Sequence, residues 1–287
     1  MNNPPGINNP SSTAPIGIFD SGIGGLTVLR AVHELLPEER IIYLADQAHV
    51  PYGQRPLEEV REFAEEIAQF LLARGAKLIV VACNTASAAA LRHLRQLFPE
   101  VPFVGMEPAV KPAAEHTKSG VVGVLATPAT FQGALYASVI ERFANGVMVL
   151  QDTCPGLVMA IERGHLVGDE VSEILNKALQ PMLAKGIDTV VLGCTHFPFV
   201  IPVIKAIVGV DVRVIDPAPA VARQVRRLLD EEGLRSVGER PGAVYYLTTG
   251  DPRQMERLLP VLLGEDPGIV QFQVRQLEWL DGILIEK

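Results

Sequence analysis

From Pro15 onward the chain alternates short, wholly apolar runs with longer stretches whose apolar residues recur at helical spacing. Pro15–Phe19, Ile41–Leu44 and Leu78–Ala82 have the length and branched-residue content of buried strands. Leu26–Leu36, closed by Pro37, and Pro56–Arg74, closed by Gly75, predict the helices between them. A third helix is predicted to follow Cys83 and run through Leu97. Glu58, Glu59, Glu62, Glu65 and Glu66 read as one solvated face of the second helix. Alternation of this kind specifies βαβ units, so the predicted fold class is α/β with mostly parallel sheets covered by helices on both faces.

The pattern then repeats. Residues 71–85, LLARGAKLIVVACNT, overlie 182–196, MLAKGIDTVVLGCTH, at a constant offset that places Cys83 on Cys194. Two weaker matches flank it at nearby offsets: IGIFDS at 16–21 resembles VGVLAT at 122–127, and Glu107-Pro108 resembles Asp216-Pro217. Three blocks matched in one order predict two similar doubly wound α/β domains related by a pseudo-two-fold axis. The expected layout is a disordered tail over 1–14, a first domain of 15–104 completed by 217–287, and a second domain of 105–216. Each cysteine then ends a parallel strand, where open α/β sheets bind ligands. Two such ends facing each other would put a thiol on either wall of a cleft, the predicted active site.

Composition narrows the classes of function. The chain has 287 residues, 48% of them hydrophobic, which suits two cores and excludes bulk disorder. No apolar run approaches the roughly 18 residues of a membrane-spanning helix, and residues 1–14 have neither the charged nor the apolar segment of a signal peptide. With 25 Lys and Arg against 33 Asp and Glu the formal net charge is −8, the wrong sign for a nucleic-acid binder that neutralises phosphates. Cys83, Cys154 and Cys194, with no C-x-x-C spacing, fit neither a disulfide scaffold nor a zinc ribbon. Reduced thiols in the cytoplasm fit better, and no metal site is expected. Gly22-Ile23-Gly24-Gly25 has Thr27 where a dinucleotide fingerprint needs its third glycine, so no bound NAD is expected either.

An isolated cysteine after a strand is most simply core packing. Around Cys83, however, Asn84, Thr85 and Ser87 open a helix and supply caps, anion-binding groups and a dipole that favours thiolate over thiol. Cys194 is followed by Thr195 and His196, with Pro198 suited to start the next helix. Two equivalent thiols across a cleft suit inversion of a stereocentre that bears hydrogen. One removes the proton from one face, and the other returns a proton to the opposite face. Other features have duller readings: Asp20-Ser21-Gly22 as a helix cap, Pro51-Tyr52-Gly53 as an ordinary turn. His49 reads as a surface or supporting histidine, and Cys154 as a thiol without catalytic duty.

The blocks GIFDSGIGGLTVL (17–29), LADQAHVPYG (44–53), VVACNTASAAAL (80–91), GVLATPAT (123–130), LGCTHFPF (192–199) and VIDPAPAVA (214–222) together closely resemble the glutamate racemases of the cofactor-independent aspartate/glutamate racemase superfamily. The resemblance implies that Cys83 and Cys194 are the acid/base pair and that Asp20, His196 and Glu162 assist them. It implies substrate binding by Asp20, Ser21, Tyr52, Gly53, Asn84, Thr85, Thr195 and His196. The motif around Glu162, PGLVMAIERG, is the loosest of these. His196 stands where aspartate racemases of the superfamily tend to carry an acid, which favours glutamate. The resemblance further implies that no cofactor is used and that the protein is a cytoplasmic homodimer supplying D-glutamate for peptidoglycan synthesis and cell shape. Three alternatives stay open on the residues alone: a racemase of a related amino acid such as aspartate, a non-catalytic amino-acid-binding sensor that does not need both thiols, and a metal hydrolase with Cys and His ligands.

Overall fold

Side-chain alternation within the strands decides how the layers stack. The computed structural model describes residues 11–107, 109–238, 240–266 and 271–287. In the first part of the chain β1 (Ile16–Asp20), α1 (Leu26–Leu35), β2 (Ile41–Ala45), α2 (Leu57–Ala73), β3 (Leu78–Val81), α3 (Asn84–Leu97) and β4 (Phe103–Gly105) follow in order. Next come α4 (Val110–His116), β5 (Val121–Ala126), α5 (Pro128–Gln132), α6 (Ala134–Phe143), β6 (Met148–Asp152), α7 (Leu157–Glu162), α8 (Asp169–Leu183), β7 (Thr189–Gly193), α9 (Ile201–Val208) and β8 (Arg213–Ile215). The chain ends with α10 (Ala218–Glu231), β9 (Val244–Thr248), α11 (Pro252–Leu263), β10 (Val274–Leu280) and β11 (Ile283–Glu286).

These strands form a seven-stranded sheet in the order β11-β10-β9-β2-β1-β3-β4 and a four-stranded sheet in the order β6-β5-β7-β8. The pairings are parallel apart from the β10–β11 hairpin. The order β2-β1-β3-β4 within the first sheet is repeated by β6-β5-β7-β8 in the second. Successive strand residues point to opposite faces. Ile16 and Ile18 of β1, with Leu78 and Val80 of β3, pack with Val28 and Val32 of α1, Val225 of α10 and Leu259 of α11. Phe19, Ile79 and Val81 pack instead with Ile67 and Leu71 of α2 and Ala90 and Leu94 of α3. Each Val, Leu or Ile fully buried in this way contributes about 1.5–3 kcal/mol.

In the second sheet Val122, Val124 and Val191 pack with Val110 of α4 and Tyr136 and Val139 of α6. Leu125, Val190 and Leu192 face the other way and belong to the same apolar cluster as α1, so one core is continuous between the sheets. Strand order reverses beside β1, flanked by β2 and β3, and again beside β5, flanked by β6 and β7. At such reversals the loops leave the carboxyl ends in opposite directions and open a crevice.

Two local expectations differ from the structure. Of the expected tail, residues 1–10 lie outside the described residues. Residues 11–14 form a turn closed by Ala14 N–H to the Ser11 carbonyl at 2.9 Å, and the Ser12 carbonyl accepts hydrogen bonds from Lys77 Nζ and Ser236 Oγ. The helix expected to open at Pro198 is a single 3-10 turn over Phe197–Val200, and α9 begins afresh at Ile201. Pro202 has no N–H to donate to the Pro198 carbonyl and its ring crowds that carbonyl, which favours a break between the two prolines. Pro108 of the repeated Glu107-Pro108 pair also lies outside the described residues.

Candidate active site

The residues that follow β1, β3, β5 and β7 meet around a small cavity of about 20 Å³. Ser21, Cys83, Asn84 and Thr85 line it from the first sheet, and Thr127, Cys194, Thr195 and His196 from the second. Tyr52 and Gly53 are added by a short 3-10 turn after β2. Every site residue that the resemblance implied therefore lines this cavity except Asp20 and Glu162, which hydrogen-bond to residues that do, whereas Ser87, read as a cap and anion-binding group, lies outside the lining and bonds the Val81 carbonyl and Met106 N–H. A larger groove of about 940 Å³, which includes Pro15, Arg40 and Val244 just outside or at the start of their strands, contains none of these groups.

On the first side, Cys83 is the N-cap of α3. Its Sγ accepts from Ala86 N–H at 3.4 Å and lies 4.0 Å from Ser21 Oγ. Asp20 is fully buried. Its Oδ2 accepts from Gly25 N–H at 2.8 Å and Gly22 N–H at 3.3 Å, and its Oδ1 accepts from Thr195 Oγ1 at 3.4 Å. The carboxylate thus ties the glycine turn that precedes α1 and reaches Thr195, a residue of the cavity lining. Burial raises the Asp20 pKa above its ordinary value, against the pull of a charged His196. The helix start was expected to favour a Cys83 thiolate. Burial instead pushes this thiol well above its usual range, Asp20 adds to the rise, and the Ala86 N–H offsets only part of it.

On the second side, His196 Nδ1 lies 3.8 Å from Cys194 Sγ, and Nε2 lies 2.6 Å from Glu162 Oε1. Glu162 Oε1 also accepts from Ile23 N–H at 2.8 Å, and Oε2 accepts from Gln47 Nε2 at 2.9 Å. Burial lowers the His196 pKa, but Cys194 and Glu162 together outweigh it and hold the imidazole well above its usual value. An imidazolium here has an N–H for each neighbour. The ion pair depends on the glycines after β1. A Cβ on Gly22 would come within 1.9 Å of Glu162 Oε1, and one on Gly24 within 2.4 Å of His196 Nδ1.

The walls occupy equivalent strand ends but differ in chemistry. Under the sequence repeat Ser21 corresponds to Thr127, Thr85 to His196, and Asp20 to Ala126. A carboxylate therefore backs Cys83, whereas an imidazole and a second carboxylate back Cys194. Thr127, not singled out from the sequence, was discoverable as the mate of Ser21. Its hydroxyl lies 2.8 Å from that of Thr85 and 2.9 Å from that of Thr130. Gln47, also not singled out, had no comparable signal. Both polar atoms of the Asn84 side chain are buried without a partner. His49 supports the site from outside. It shares Asp46 Oδ2 with Tyr52, at 2.8 and 2.6 Å, and stacks on Phe63. Cys154 is buried outside the cavity lining, with its thiol pKa pushed up first by burial. Although the chain carries a net −8, the cavity is lined by hydroxyl, amide and imidazole groups, which suits a ligand bearing carboxylates.

Known proteins resemble this chain over most of its length. The sequence profile of the Asp/Glu/Hydantoin racemase family matches residues 16–225. A glutamate racemase of Roseiflexus sp. is 55% identical over 249 residues, 86% of this chain and 92% of its own length. The crystal structure of glutamate racemase from Thermus thermophilus in complex with β-chloro-D-alanine superposes with a TM-score of 0.78 at 38% identity, covering 95% of this chain and 100% of that one. That from Francisella tularensis in complex with D-glutamate superposes with a TM-score of 0.79 at 30% identity, covering 92% and 97%.

Proposed function

The chain belongs to the Asp/Glu/Hydantoin racemase family and is an isomerase, and from that premise we propose that it interconverts L- and D-glutamate through a two-base mechanism in which Cys83 and Cys194 act on opposite faces of the α-carbon. The observation that carries this reading is the pair of thiols, one from each sheet, at equivalent strand ends in one cavity. One thiolate takes the α-proton as the C–H bond breaks, and the electron pair moves into the α-carboxylate. The opposite thiol delivers its proton to the other face of the planar intermediate. The sulfurs finish with their protonation states exchanged, and the reverse reaction resets them. The α-proton is a very weak acid, so the intermediate needs donors fixed around it in a site with little water. Ser21, Asn84, Thr85 and Thr195 offer such donors, and His196 supplies positive charge beside Cys194. No cofactor or metal enters the scheme.

The reading extends to a cytoplasmic homodimer that supplies D-glutamate for peptidoglycan synthesis and cell shape, and its support is the resemblance carried by the sequence blocks. Among the described residues no helix is long and apolar enough to cross a membrane.

In deuterated water without pyridoxal phosphate, L-glutamate is expected to become D-glutamate carrying deuterium at the α-carbon. Recovery of unlabelled L-glutamate overturns the reading, and faster exchange of aspartate in a parallel reaction reassigns the substrate. Cys83→Ser separates the racemase from an amino-acid sensor. A sensor keeps its binding unchanged, whereas loss of an acid/base group lowers kcat about 10²–10⁴-fold.

A further inference from the structure

Behind the Cys194 wall a chain of hydrogen bonds continues beyond the His196–Glu162 pair. Gln47, just after β2, donates from Nε2 to Glu162 Oε2 at 2.9 Å, and its Oε1 accepts from Thr248 Oγ1 at 2.8 Å. Thr248, the last residue of β9, accepts from Gly250 N–H at 3.0 Å, so its hydroxyl proton is left to point at Gln47. The amide orientation is therefore determined, because the reversed amide would set its oxygen against a carboxylate. The stem is confined as well, since a Cβ on Gly250 would lie 2.8 Å from Gln47 Cβ. Neither Gln47 nor Thr248 lines the cavity.

We propose that Gln47 is a positioning residue for the Cys194 half of the reaction: its amide, aligned by Thr248, holds the Glu162 carboxylate against His196 so that the imidazole faces the thiol. The inference rests on the two-base reading. It follows from the inequality of the walls, for the titratable groups that this chain reaches are Glu162, His196 and Cys194, whereas Cys83 has Asp20 behind it.

The test is the primary isotope effect on kcat/KM for α-deuterated L- and D-glutamate, measured separately with the full chain and with Gln47→Leu. Labelled substrate reports only the proton-removal step of its own direction. Gln47→Leu is expected to lower kcat about 10-fold, the worth of a hydrogen bond to an ionised group, with KM changed less than about 2-fold by the same reasoning. The isotope effect rises in the direction where Cys194 removes the proton and falls or holds in the other. Gln47→Glu supplies the donor only while its new carboxyl is protonated, so its activity relative to the parent rises as pH falls. Equal isotope effects in both directions, or a pH-independent activity ratio for Gln47→Glu, overturn the inference while the parent still racemises. If Gln47→Leu does not fold, the pH ratio of Gln47→Glu decides alone. A parent that exchanges no α-proton overturns the two-base reading itself.

Discussion

Asn84 is 3% exposed, and neither atom of its amide has a partner. A buried polar group left unsatisfied costs about 1–3 kcal/mol, and a ligand carboxylate accepting from Nδ2 removes that cost. Asn84→Ala is therefore expected to leave the melting temperature unchanged or higher, while kcat/KM for glutamate falls about 10- to 100-fold, the range for a hydrogen bond to a charged group. Thermal melts and racemisation rates measured side by side check both halves, and a lower melting temperature with unchanged kcat/KM would make Asn84 part of the scaffold. At this scale the sequence was readable where the repeat marked it. Cys83 and Cys194 stood out because their flanking strands match, and the same alignment contained Thr127 without drawing attention to so common a residue. Gln47 could not be read, because its partners lie 115 and 201 residues away and a lone glutamine in a turn carries no pattern.

The turn from β1 to α1 shows an element shaped by what lies across from it. Gly24→Ala would set a Cβ 2.4 Å from His196 Nδ1 and 2.7 Å from Thr195 Oγ1, both of them buried side chains. The expected outcome is a folded protein whose kcat falls at least about 100-fold through displacement of the imidazole, checked by circular dichroism with steady-state kinetics. A second element, the turn entering β7, depends on Asp188, which accepts from Thr117 Oγ1 at 2.8 Å, Lys118 N–H at 2.6 Å and Ser119 N–H at 2.8 Å. Burial would raise its pKa, but these donors outweigh burial and hold it at about 2. A folded value below the unfolded one, near 3.9, means that the stabilisation is complete above about pH 4 and disappears as pH falls through about 2. Melting temperature plotted against pH across that interval should be flatter for Asp188→Asn than for the parent, and parallel curves would refute the assignment. Strands and long helices were legible from periodicity, whereas the break at Phe197–Val200 needed the pairing of two prolines to be weighed against helix propensity.

Across the whole molecule, the amino ends of the first sheet are tied by a buried ion pair far along the strands from the thiols. Lys77 Nζ lies 2.6 Å from Glu39 Oε2, and Ser236 donates to the same carboxylate from N–H at 2.7 Å, with its hydroxyl, 2.9 Å away, shared between that carboxylate and the Ser12 carbonyl. The knot joins segments around residues 12, 39, 77 and 236, and no local pattern announces it. Lys77→Met leaves Glu39 buried without its cation and is expected to cost about 3–5 kcal/mol, with part recovered when Glu39→Leu is added. Denaturant unfolding of the single and double variants measures this, and kcat of the folded protein should not change. The alternation of strands and helices was legible element by element through Leu97, but the closing β10–β11 hairpin and the core shared by both sheets were not, since periodicity assigns a face and never a neighbour.

The 20 Å³ cavity has a further meaning for affinity. A volume of that size holds about one water, so an amino acid is bound only when the residues around the cavity open. The dissociation constant seen in solution is then the intrinsic constant divided by the fraction of molecules that are open. Glutamate and any inhibitor that needs the open arrangement bear the same cost of opening, so a substitution that raises the open population of the free protein tightens the binding of both by one common factor.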